Sequence, residues 1–126
     1  MKISITRAAE RHGEVYFASA YGEGKGQWLG ASPFVPGEEC EAEFELPELF
    51  IKWVDLVPAP GQPPAVSIEA GKNVLTGTLE DIEEDGTAYM RLGESLIMFE
   101  CLGEPMAIGG TVELTAGILR IYPAAY

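Results

Sequence analysis

The chain has 126 residues, 47 % of them apolar, the size of one ordinary domain with enough apolar side chain for a core that needs no disulfide or metal staple. Twenty carboxylates against eight Lys and Arg give a formal charge of −12, which repels nucleic-acid phosphate and anionic lipid, since both are recognised by clustered basic groups. No apolar run approaches the ~20 residues of a membrane helix and no apolar leader is visible near Met1, so a globular protein without membrane or nucleic-acid partners is expected, either cytoplasmic or a mature chain whose leader has been removed.

Residues 2–7 alternate, with Ile3 and Ile5 on one parity and Lys2, Ser4 and Thr6 on the other, which predicts a half-buried strand. Residues 14–21 are rich in aromatic and small side chains and predict a second. The glycine-dense stretch 22–30 reads as a flexible hairpin loop, and Pro33, Pro36 and Gly37 mark a turn-prone patch. Residues 39–46 carry the clearest local signal. Glu39, Glu41, Glu43 and Glu45 alternate with Cys40, Ala42, Phe44 and Leu46, a period of two that a helix cannot turn into one apolar face.

Residues 50–57 are apolar on both parities and predict either a doubly buried strand or a short helix begun near Pro47 and Glu48. PAPGQPP, residues 58–64, reads as a stiff exposed connection. A meander then follows: a strand over 74–82, a tight turn at Asp85-Gly86, a strand over 87–92, a turn at Gly93-Glu94, and the most apolar strand of the chain over 95–102. After a loop holding Pro105, Gly109 and Gly110, residues 111–115 and 118–122 predict a closing hairpin around Ala116-Gly117.

The pattern predicts an all-β fold with little or no helix, a small antiparallel barrel or two-layer β domain. Its C-terminal half, residues 66–123, is expected to form an OB-like or SH3-like meander plus hairpin. One domain over 1–126 is preferred to a division into 1–57 and 65–126, because halves of roughly 60 residues are marginal for independent folding.

Few residues point to chemistry. Asp81, Glu83, Asp85 and Gly86 echo the opening of a calcium loop, but the position of its closing bidentate glutamate holds Leu92, so a solvated turn is the better reading. Lys25 among glycines lacks the following Ser or Thr of a phosphate-binding loop. His12 is the single histidine and has no nucleophile or orienting group beside it in sequence, so no catalytic residue is assigned. Cys40 and Cys101 lack metal-ligand spacing and fit a reducing compartment as small buried hydrophobes, although their pairing is left open. No cofactor is implied.

Glu39, Glu41, Glu43 and Glu45, with Trp28 and Phe34 in a Gly/Pro-rich segment, are the residues expected to face a partner. The sequence thus predicts a non-enzymatic protein-interaction module that binds a basic partner, an inhibitor or immunity-type protein being one form. Two alternatives stand beside it: a small-ligand-binding or enzymatic barrel using the loop aromatics and carboxylates, and a structural subunit of a larger assembly.

Overall fold

A computed structural model of the chain describes residues 1–124. Among these residues twelve strands run in chain order: β1 (Lys2–Ala8), β2 (Glu14–Ser19), β3 (Gly22–Trp28), β4 (Glu39–Glu45), β5 (Leu49–Ile51), β6 (Leu56–Pro58), β7 (Ala65–Glu69), β8 (Lys72–Ile82), β9 (Thr87–Leu92), β10 (Ser95–Leu102), β11 (Thr111–Ala116) and β12 (Arg120–Pro123). The fold is all-β, as the alternation predicts, and among the described residues no helix is long and apolar enough to cross a membrane.

Five strands close a barrel. β1 lies antiparallel between β2 and β4, β2 pairs with β3, and β12 closes the ring by running antiparallel to β4 and parallel to β3. Ile3, Ile5, Val15, Phe17, Ala42 and Ile121 fill its interior, and the Phe17 ring stacks on Phe44 with centroids 5.4 Å apart. The closed ring therefore lies in the first half of the chain plus the last strand, rather than within residues 66–123.

The glycine-dense segment 22–30 is not a loop. Most of it is β3, and Gly24 and Gly26 within it are required by volume rather than by flexibility. A Cβ on Gly24 would strike Phe17 Cζ and lie 2.8 Å from Cε1, while one on Gly26 would lie 2.7 Å from Leu119 Cδ2. Absent side chains on β3 make room for large ones from β2 and β12.

The second layer is built on β8, the longest strand. It pairs with β7 and β9 and, along its other side, with β11. The meander β8–β9–β10 is as expected, and β5 adds to β10 in parallel as the last strand of that run. Residues 50–57 are neither one strand nor a helix. β5 and β6 flank a tight turn at Trp53, and β6 pairs with β11, so the ends of the second layer meet at the Lys52–Leu56 bridge. Phe50 and Phe99 meet edge to face inside it, with centroids 5.6 Å apart.

The expected closing hairpin over 111–122 does not form. β11 joins the second layer and β12 the barrel, because Leu119 and Ile121 bury against the barrel interior while Val112, Leu114 and Ala116 bury under β8. The two layers share one continuous hydrogen-bonded sheet through the β3–β7 pairing at Gly22 and Val66. Buried Asn73 adds a second link: its Oδ1 accepts the Lys25 N–H and its Nδ2 donates to the Lys25 carbonyl, both at 2.8 Å.

Candidate interaction surfaces

The glutamate ladder sits on β4 as its period predicts, with Glu39, Glu43 and Glu45 exposed, Glu41 half-buried and Ala42 buried on the opposite side. The neighbouring strands, however, bring cations to three of the four. Lys2 Nζ lies 3.0 Å from Glu39, the N-terminal ammonium 3.6 Å from Glu41, and Arg120 Nη1 2.7 Å from Glu45. The Glu39 carboxylate, by hydrogen bond and by charge, holds the Lys2 ammonium above its usual range. Glu43, opposite Tyr122, is the one ladder carboxylate without a cation within 4.0 Å among the described residues. Three of the four ladder carboxylates are thus offset by cations of neighbouring strands.

Trp28 and Phe34 do not share a pocket. Trp28, half-buried at the end of β3, donates its indole N–H to the Ser32 carbonyl at 2.8 Å. It walls a hollow of ≈ 380 Å³ with Ile5, Val35, Glu38 and Cys40. Phe34 is also half-buried and lines a different hollow of ≈ 700 Å³ beside Arg11, His12 and Glu14. Both rings pack against the core as well.

At the β8–β9 turn the three acidic residues serve the turn itself. Asp81 Oδ1 accepts the Ile82 N–H at 2.9 Å, Glu83 Oε1 the Tyr89 hydroxyl at 2.8 Å, and Asp85 Oδ1 the Thr87 N–H at 2.9 Å. The bonds from Thr87 lower the Asp85 carboxyl, and the bond to Glu83 raises the Tyr89 phenol. Among the described residues no three His, Cys, Asp or Glu gather closely enough to hold a metal ion. Both thiols are free: Cys40 is half-buried beside the Trp28 hollow and Cys101 is buried in β10. Burial, the first cause in each case, pushes both thiols up.

A surface absent from these expectations lies on the outer side of β9, β10 and β5. Seven of the twelve exposed large apolar side chains among the described residues gather there or at the adjoining turn: Leu49, Ile51, Trp53, Val54, Leu96, Met98 and Leu102. The register explains the grouping. Met98 lies opposite Tyr89, Glu100 stands between Leu49 and Thr87, and Leu102 lies opposite Ile51. Trp53 continues from that end, its indole N–H 3.3 Å from the Pro105 carbonyl. Beside Met98 opens a shallow groove of ≈ 240 Å³ lined by Glu45, Glu48 and Glu100 among others. A signal was present in residues 95–102, apolar on both parities in an antiparallel strand with only one side toward a core.

No protein family, curated protein or solved structure matches the chain.

Proposed function

We propose that the protein is a non-enzymatic interaction module that binds a basic partner protein through its acidic surface. An inhibitor or immunity-type protein that masks a cationic toxin or nuclease is the concrete form we favour. The observation that carries this reading is the balance of ion pairs. Five of the twenty carboxylates have a cation within 4.0 Å among the described residues, so the charge of the other fifteen is not offset by an ion pair. A field of that sign accelerates encounter with a cationic surface and rejects anionic competitors. The free thiols agree with a cytoplasmic setting. Affinity capture from the native host, at low and at high salt, tests the reading. Basic proteins retained at low salt and released at high salt are expected, and capture that ignores salt would refute electrostatic recognition.

A second reading draws support from the hollow beside Trp28. Its ≈ 380 Å³ fall within the range of small-molecule sites, and among the described residues Glu38 is its one charged lining residue. A small apolar ligand there would change Trp28 emission in a Trp53→Phe background. An unchanged spectrum across a panel of such ligands would remove this alternative.

A further inference from the structure

We infer that the basic partner docks on the outer face of β9, β10 and β5, around Met98, with an apolar contact surface whose Lys or Arg side chains reach Glu100 and Glu48. This inference rests on the basic-partner reading above and gives it a location. The outward row of β10, Leu96 to Leu102, extends ~20 Å at 3.3 Å per residue. With β9 and β5 on either side at ~4.8 Å spacing, the face covers a few hundred Å², the scale at which exposed apolar surface marks an interaction site. Met98 is 58 % exposed, Leu102 51 % and Trp53 50 %. An apolar centre with a carboxylate rim is the anatomy of one side of a standard protein interface.

Charge decides what covers it. Glu100 stands within the apolar rows, and its carboxylate has no ion-pair partner within 4.0 Å among the described residues. Glu48 shares a groove with it beside Met98, and its Oε1 already accepts the Ile118 N–H at 2.9 Å. Two cations lie nearby: Arg91, held by Glu80 at 3.1 Å, and Lys52, whose backbone N–H donates to the Leu102 carbonyl at 2.8 Å. A second copy of this chain fits poorly, because an isologous contact centred on this face would bury two unpaired Glu100 carboxylates between molecules that each carry a charge of −12. A cationic apolar partner meets no such conflict.

Trp53 adds an independent observation. It is one of two non-glycine residues with positive φ among the described residues, at 72°, and it is displayed at a turn braced by bonds from its own N–H to the Leu56 carbonyl and from the Ile51 N–H to Asp55 Oδ2. An L side chain rarely adopts that backbone. A rigid, half-exposed aromatic held there is suited to anchor a partner.

The test uses the whole chain, isotope-labelled, titrated with a synthetic amphipathic helical peptide carrying leucine on one face and lysine on the other. A control peptide has serine in place of each leucine. The expected result is amide shifts in β9, β10 and β5 together with the Trp53 indole, and binding at least about tenfold weaker for the serine control. Met98→Asp, an exposed position whose substitution leaves the core intact, should also weaken binding by at least about tenfold, and Glu43→Lys by less than about twofold. A preserved amide spectrum verifies that each variant is folded. Shifts confined to β4, or equal binding of both peptides, overturn the docking face and leave the basic-partner reading standing. No binding of either peptide refutes both. Concentration-dependent shifts of the same face without peptide, with a dimer by light scattering, assign it to a second copy and overturn the inference.

Discussion

Replacing Gly24 with alanine adds one methyl group to a strand, and two effects of opposite sign compete. Alanine restricts the unfolded chain and suits an extended backbone better, a gain of roughly 0.5–1 kcal/mol. Against this, the new Cβ would overlap the Phe17 ring, with Cε1 at 2.8 Å and Cζ nearer still. A flexible surface side chain would swing away at little cost. Phe17 is fully buried and stacked on Phe44, so the ring has nowhere to go without moving β4. Overpacking of this kind costs about 1–3 kcal/mol, and the net expectation is a loss of about 1–2 kcal/mol. For a chain of this size that lowers Tm by roughly 4–8 °C. Urea unfolding of Gly24→Ala, Phe17→Leu and the double variant measures it. Phe17→Leu is destabilising alone, but it opens the space the methyl needs, so the double variant should be more stable than the sum of the singles by about 1 kcal/mol. A neutral or stabilising Gly24→Ala, or strict additivity in the cycle, would refute the claim that volume dictates glycine in β3.

Ala70 has φ of 50° and precedes Gly71 at 77° in the two-residue turn between Glu69 and Lys72. Both turn residues sit where asparagine-glycine is favoured, so Ala70→Asn should stabilise the protein by about 1 kcal/mol in the same urea assay. Asn73→Ala leaves the Lys25 N–H and carbonyl without their side-chain partner and should cost about 2 kcal/mol, with faster amide exchange at Lys25 as the local signature. Asp85 has a carboxyl lowered by its bonds from Thr87. A carboxyl depressed on folding adds stability above its unfolded-state range and loses it as pH falls through the folded value. Asp85→Ala should therefore be less stable than the parent at neutral pH, and the two thermal curves should converge in acid.

The parts of the fold legible in the sequence are those with local causes. Period-two alternation placed β4, and Asp85-Gly86 placed its turn with Gly86 at φ of 93°, because each signal acts within a few residues of itself. The failures have distant causes. β3 reads as a loop because its glycines answer to Phe17, Leu119 and Ile121 rather than to a turn. β12 reads as half of a hairpin because its partner β4 lies 75 residues away at the Arg120–Glu45 pair. The same distance hid the cations of the ladder, since the alternation of residues 39–46 cannot report that Lys2 and Arg120 will flank it. The apolar face was half legible: the composition of residues 95–102 showed an outer side with little polarity, but only the parallel addition of β5 brings Leu49 and Ile51 beside it.

The closing role of β12 has a consequence for how the chain reaches this state. The barrel formed by β1, β2, β3 and β4 is a ring with a gap until Arg120–Pro123 arrives, and those residues are made long after the rest of the ring. A nascent chain emerging from the ribosome would carry the edges of β3 and β4 open while the whole second layer is synthesised. Slow, late zippering of the final strand, and a vulnerability to intermolecular strand capture before it, follow from that order of assembly.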